Sequence, residues 1–260
     1  MRDNVLSAWA WTCTVLVVLL GFPVVGLTWL ATAPFDRGRY AAGRMFRRLA
    51  VLAIHLNPLW KFRVTGRGPS DPRRPYVAVS NHESYADIFL ISMFPWEMKW
   101  LAKTTIFNIP VMGWLMRLAG DIRVVRGERA SAVAALAAVR ERLVARRVSV
   151  MIFPEGTRSR TEEMLPFKDG AFRIAIEAGA PILPIAVAGT RFAMRKGSFR
   201  FNRAVALARV LPPIDTTGLT AADVPALKAR VRAVIDDARH ALRRELGIEG
   251  AGDHALIAGT

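Results

Sequence analysis

The sequence predicts an α/β fold, a mixed and largely parallel sheet flanked by helices, carrying an N-terminal membrane-embedded helical anchor. Three observations predict it. From Trp60 onward, short β-branched apolar runs alternate with helical patterns, the arrangement that builds βαβ units. From Asn4 to Phe35 no charged residue occurs, a run of 32. Between these regions, arginines interleave with apolar residues at three-to-four spacing, the pattern of a basic amphipathic helix. The expected boundaries are an anchor with its amphipathic helix at 1–58, an α/β domain at 59–247 and a flexible tail at 248–260.

In chain order, the anchor comes first. A single straight helix over the uncharged run would be about 48 Å long at 1.5 Å per residue, more than the ~30 Å hydrocarbon core. Gly21, Pro23 and Gly26 predict a broken helix, as one tilted span or as two shorter helices in a re-entrant hairpin. Trp9, Trp11 and Trp29 are the expected interfacial anchors. Ala31-Thr32-Ala33 has the small-x-small pattern of a signal-peptide cleavage site, but the apolar run is too long for one and Pro34 follows directly. Arg37, Arg39, Arg44, Arg47 and Arg48, set among Met45, Leu49, Leu52 and Leu56, then predict a helix on the membrane surface; a helix packed on the main domain is the alternative. The positive-inside tendency puts the rest of the chain on the cytoplasmic face of the inner (plasma) membrane.

Expected strands are Lys61 to Thr65, Tyr76 to Ser80, Trp100 to Lys103, Ile122 to Val125, Ser149 to Phe153, Ile182 to Val187 and Val205 to Val210. Helical patterns cover Ala86 to Met93, Ala130 to Ala145 and Gly170 to Ala178, and Thr220 with Asp223 reads as a cap opening a helix from about Ala221 to Leu246. Ile106 to Leu118, rich in Phe, Trp, Met and Leu, is either core or a lipid-touching surface. The chain is 52% hydrophobic with a mean hydropathy of +0.25 and a formal net charge of +16. Such a balance points to an anionic membrane surface more than to nucleic acid, for which no helix-turn-helix or aromatic stacking motif is present. Cys13 is the only cysteine, so no intrachain disulfide forms.

Two clusters carry chemistry. In "NHESYAD" (81–87), Ser80 to Tyr85 is the expected strand-to-helix turn. Five residues at 100° each would leave His82 and Asp87 about 140° apart on one helix. With His82 on the turn and Asp87 in the first turns of the following helix, the carboxylate can instead receive the Nδ1 proton and leave Nε2 as a base. The second cluster, "IFPEGTRSR" (152–160), follows an apolar strand: Gly156 permits close backbone approach and Arg158 offers a planar fork for phosphate. Lys103 and Arg126 also follow strands, so all these groups can converge at the carboxyl edge of one sheet. His55, His240 and His254 do not cluster with cysteines or acids in metal-ligand spacing.

Taken in order, "NHESYAD", the Lys103 to Arg126 block with Ile109-Pro110 and Gly113-Trp114, "FPEGTRS" (153–159) and "APILPIAV" (180–187) resemble the four motifs of the glycerolipid acyltransferases. Within that superfamily they look most like those of the lysophosphatidate (1-acylglycerol-3-phosphate) acyltransferases. Val124-Val125-Arg126 departs from the pattern, since many members have an aspartate before the arginine. The resemblance implies His82 as general base and Asp87 as its orienting partner, with the acceptor hydroxyl attacking an acyl thioester directly. It implies that Glu155, Gly156, Thr157 and Arg158 hold the glycerol phosphate, helped by Arg126 and Lys103, with backbone amides near Gly156 as one oxyanion candidate. Acyl-CoA or acyl carrier protein is then the co-substrate, and no metal or redox cofactor is needed. Rival expectations are another lysolipid as acceptor (lyso-ornithine lipid, lysophospholipid or glycolipid), or a non-catalytic membrane lipid-binding protein.

Overall fold

The computed structural model describes residues 2–71, 73–125, 127–159 and 161–249. The chain opens with helices α1 (Arg2–Thr32) and α2 (Tyr40–His55), then runs through β1 (Trp60–Thr65), β2 (Val77–Ser80), α3 (Ala86–Ser92), β3 (Met98–Lys103), α4 (Thr104–Phe107), α5 (Met112–Ala119) and β4 (Ile122–Val124). It continues with α6 (Arg129–Val144), β5 (Ser149–Ile152), α7 (Gly170–Glu177), β6 (Ile182–Ala188), α8 (Thr190–Ala193), β7 (Ala204–Val210) and α9 (Val224–Glu245). One 7-stranded sheet has the order β1-β7-β6-β2-β5-β3-β4. Strands β2 to β6 are parallel, and β7 pairs antiparallel with β6 and parallel with β1. The carboxyl ends of five strands therefore share an edge.

Continuous apolar runs become the central strands because both faces of the sheet are covered. In β2, Val77 and Val79 pack with Val139, Phe172 and Val231 of α6, α7 and α9, whereas Ala78 faces Leu90 of α3 and Phe192 of α8. The expected strands all form, with ends that differ by local side-chain demands. β4 stops at Val124 because Val125 N–H donates to Ser131 Oγ at 2.8 Å, and Phe153 leaves the β5 ladder to stack on the His82 ring. The expected Thr220–Asp223 cap is present as a capping box; it opens one 3₁₀ turn at Ala221–Asp223 before α9. The stretch 106–118 is core in part: Phe107, Leu115 and Met116 are buried, while Ile109 and Trp114 are exposed.

The anchor departs from expectation in two ways. First, α1 is one continuous helix through Pro23, with neither a break nor a hairpin. Packing supplies what the missing proline N–H takes away: Val25, Phe22 and Trp29 join a cluster with Ala42 of α2 and Leu115 of α5. Gly21 is a contact point and not a breaker, since a Cβ there would lie 2.2 Å from Leu49 Cδ1. Second, α2 is not spread on a surface by its arginines but lies between α1 and the α/β layer. Arg47 is buried and pairs with Asp121, whose Oδ1 also accepts Trp100 N–H at 2.9 Å. Lys99 Nζ sits 3.0 Å from Glu97 Oε1 and donates to Arg39 O at 2.7 Å. Gly43 passes over this cluster so closely that a Cβ would meet Glu97 Oε1 at 2.1 Å. Buried charges survive only when paired in this way, so the cluster fixes α2 to β3 in a single register.

Candidate active site

β2 ends at Ser80, and the turn into α3 is fastened by Asn81, whose amide donates to Val187 O at 2.9 Å and accepts from Val187 N–H at 2.8 Å. His82 N–H then donates to Glu155 Oε1 at 2.7 Å, and its carbonyl accepts from Ser159 N–H at 2.9 Å. Both expected clusters are thus tied together through the backbone of the histidine. Its Nδ1 stands 2.7 Å from Asp87 Oδ2. The same oxygen accepts Glu83 N–H at 2.8 Å and Ser84 N–H at 3.0 Å, while Oδ1 accepts the Thr190 hydroxyl. Asp87 is fully buried in the first turn of α3. An acceptor so placed fixes the imidazole proton on Nδ1 and leaves the Nε2 lone pair available. The ring stacks on Phe153 at 3.9 Å between centroids, which sets its plane.

Glu155 does not take the role expected of it. It is 4% exposed, and its second oxygen accepts Leu165 N–H at 2.9 Å, so both oxygens are spent inside the protein. It braces the histidine from behind through the His82 N–H. Burial pushes its carboxyl up to about 7, against the pull of the two backbone donors. Glu83, next to the histidine, is also raised to about 7 by burial and by the Asp87 carboxylate.

The remaining site residues fall as follows. Gly156 adopts φ +71°, a conformation that favours glycine, and a Cβ would lie 2.9 Å from Lys168 Nζ. Its N–H donates to Phe153 O at 3.0 Å, so that amide is not open to an oxyanion. Thr157 and Arg158 are half-buried on the same turn, and the Arg158 guanidinium lies 3.7 Å over the ring of Tyr85, which brings it beside the histidine turn. Lys103 is exposed at the carboxyl end of β3, on the same sheet edge. Arg126 lies outside the described residues. Asn81, Phe153, Lys168 and Thr190 are the partners that sequence reasoning passed over. Asn81 and Phe153 lie inside the quoted motifs, and Thr190 follows the fourth motif after two residues, but their bonds become visible only in three dimensions. A small crevice is lined by His82, Glu155, Ser159 and Glu162, and beside it α9 contributes Arg232, Arg239 and Arg243 to an adjoining cavity.

A polarised imidazole beside a phosphate-competent arginine, at the carboxyl edge of a mostly parallel sheet, suits transfer to a hydroxyl-bearing anionic acceptor. The family model described as Acyltransferase matches residues 61–188, which contain His82, Asp87, Glu155 and Arg158, and, with the relatives below, it makes the protein an acyltransferase. Human 1-acyl-sn-glycerol-3-phosphate acyltransferase alpha is 36% identical over 219 residues, spanning 83% of this chain and 75% of that protein. The 1-acyl-sn-glycerol-3-phosphate acyltransferase of Salmonella typhimurium is 33% identical over 207 residues, 78% of this chain and 81% of that one. The crystal structure of the 1-acyl-sn-glycerophosphate (LPA) acyltransferase PlsC from Thermotoga maritima superposes with a TM-score of 0.77 at 25% identity, covering 93% of this chain and 96% of that one. The chain therefore belongs to the 1-acyl-sn-glycerol-3-phosphate acyltransferase family.

Proposed function

We propose that the protein transfers a fatty acyl group from an acyl thioester, on coenzyme A or acyl carrier protein, to the free sn-2 hydroxyl of 1-acylglycerol-3-phosphate, giving phosphatidic acid. The observation that carries this reading is the His82 Nδ1 to Asp87 Oδ2 pair at 2.7 Å within a carboxylate that accepts three further donors. His82 Nε2 takes the hydroxyl proton as the oxygen bonds to the thioester carbonyl carbon. Collapse of the tetrahedral intermediate breaks the C–S bond, and the leaving thiolate takes the proton from the imidazolium. Asp87 stabilises the imidazolium in between. Direct attack fits the candidate nucleophiles: Cys13 is buried in α1, and Ser84 Oγ is occupied by Met194 O at 2.8 Å. The chemistry needs neither a metal nor a redox cofactor, because it moves a proton and an acyl group with no change of oxidation state.

Arg158 is the proposed grip on the glycerol phosphate, with Thr157, Lys103 and Arg126 around it. The anchor serves the same end. α1 is held near both its ends, by Phe201 N–H to Ser7 Oγ and Trp9 Nε1 to the α2 C-cap Leu56 O at one and by the Val25, Ala42 and Leu115 cluster toward the other. Its outer face presents Leu16, Leu20, Leu27 and Leu30. A helix of 31 residues, about 46 Å long and held flat in this way, lies along one leaflet with its outer face in lipid. Exposed Arg37 and Arg48 favour the cytoplasmic leaflet. Lysolipid and product are anionic amphiphiles of that leaflet, and neither need cross water.

Purified enzyme offered lysophosphatidate and both acyl-CoA and acyl carrier donors is expected to form phosphatidate with at least one donor. Acylation of a different lysolipid alone would reassign the acceptor, and acylation of none would leave a lipid-binding protein. Arg158→Ala is expected to raise the lysophosphatidate KM roughly 10- to 100-fold, since hydrogen bonds to charged groups contribute about 1.5–3 kcal/mol. Initial rates against acceptor at saturating donor check this. A change confined to the donor KM would move Arg158 to the carrier.

A further inference from the structure

The segment from Arg195 to Arg203 joins α8 to β7 at the sheet edge that carries His82. It is a compact turn and not a loose loop: Asn202 N–H donates to Ala193 O at 2.9 Å, Ser198 N–H to Arg195 O at 3.1 Å, and Gly197 takes φ +88°. At its tip Phe199 is 77% exposed, although nothing in the acyl-transfer site uses it. Arg195, Lys196, Arg200 and Arg203 flank it in the sequence, all exposed, and no acidic residue occurs between Arg191 and Arg203. A single exposed phenylalanine is ordinary. What sets this one apart is where the turn is fastened.

It is fastened to the N-terminal part of α1. Phe201, 1% exposed, stacks on Trp11 at 4.7 Å. Trp11 Nε1 donates to Phe199 O, Phe201 N–H donates to Ser7 Oγ at 3.0 Å, and Arg203 Nε lies 3.2 Å from Asp3 Oδ1. Val5 and Trp9 on that part of α1 are themselves exposed. The turn thus packs against the inner side of the N-terminal part of α1, opposite Val5 and Trp9, and carries an exposed aromatic tip in a stretch of exposed cations. Aromatic rings favour the headgroup boundary, and clustered Arg and Lys favour anionic headgroups.

We propose that the Arg195–Arg203 turn is a second membrane contact, with Phe199 inserted at the acyl boundary of an anionic leaflet and the flanking cations on lipid phosphates. The inference rests on the reading of α1 as lying in that leaflet. It also has a consequence for the site: Lys196 Nζ donates to Arg158 O at 2.8 Å, so the turn sets the lipid phosphate plane beside the arginine that takes the acceptor phosphate. The lysolipid then reaches the site sideways from the leaflet.

The test uses the full chain with Cys13→Ser, nitroxide-labelled at Phe199→Cys or, separately, at Leu20→Cys, in vesicles of phosphatidylcholine with phosphatidylglycerol. Both labels are expected to collide with oxygen and to be shielded from a water-soluble nickel complex. A shielded label at 20 with a water-exposed label at 199 overturns the second contact and leaves the α1 reading intact. Water exposure at both overturns the two together. In parallel, Phe199→Asp is expected to lower severalfold the rate on vesicle-borne acceptor while leaving the rate on a water-soluble short-chain acceptor unchanged. An equal loss on both acceptors would mean a merely structural role and would overturn the proposal.

Discussion

His82→Ala is expected to lower kcat by roughly 10²-fold or more, as loss of a general base does, while the fold stands. The two parts of that statement come from separate bonds. The polypeptide at position 82 is held through backbone atoms, N–H to Glu155 Oε1 and carbonyl to Ser159 N–H, which alanine keeps. The side chain contributes only the ring on Phe153 and the Nδ1 bond to Asp87. Removing it costs one hydrogen bond, about 0.5–1.5 kcal/mol, and some packing, a tolerable part of a typical stability of about 5–15 kcal/mol. The chemistry has no such reserve. Glu83 and Glu155 flank the histidine, but Glu155 is closed off by its two backbone donors. Turnover at saturating acceptor and donor, read beside a thermal melt, checks both parts. Near-normal turnover with an intact melt would overturn the assignment of His82 as base.

The sheet was legible because its central strands are buried on two faces: runs such as "ILPIAVA" in β6 and "VAVS" in β2 have no polar side to confuse the reading, and all their residues are buried. The histidine and aspartate pair was legible for a different reason. A five-residue offset fails on one helix and works across a turn, and the turn was visible as the boundary between a β-branched run and an apolar helix. Arg47 was misread because helical spacing shows which residues share a face but not what that face meets. A guanidinium that reads as a headgroup ligand is instead buried against Asp121, more than seventy residues away in sequence. Pro23 was overweighted by the same limit: a local penalty of about 3 kcal/mol is real, but long-range packing on α2 and α5 outweighs it. Glu155 is the instructive miss within the site. Its neighbours Gly156 to Arg158 form a half-buried turn with Arg158 over the Tyr85 ring, whereas its own side chain points back to the histidine backbone, and no one-dimensional signal separates the two directions.

Asp87 permits the sharpest separation of structure from chemistry, because its two obvious substitutions should fail in different ways. Asp87→Ala is expected to compromise folding. It orphans the His82 ring donor and two backbone N–H groups in a fully buried place and leaves the Thr190 hydroxyl only Glu83 Oε2, at 3.5 Å. At about 1–3 kcal/mol for each unsatisfied group, the total approaches the whole stability of a domain. Asp87→Asn should fold. Its amide oxygen is forced to the Oδ2 position, since an NH₂ there would face three donors, while its NH₂ at the Oδ1 position can donate to Thr190 Oγ1. That orientation also keeps the imidazole proton on Nδ1, so the ring retains the tautomer with Nε2 free. What is lost is the negative charge that stabilises the imidazolium formed as the hydroxyl proton is taken. A drop in kcat of roughly 10²-fold is therefore expected, smaller than the ~10⁴-fold loss seen where such a change also imposes the wrong tautomer. A melting temperature close to that of the parent and an acceptor KM little changed should accompany it. If Asp87→Asn turned over at the parent rate, the carboxylate would be only a four-donor clamp for the turn, and the base would act without its help.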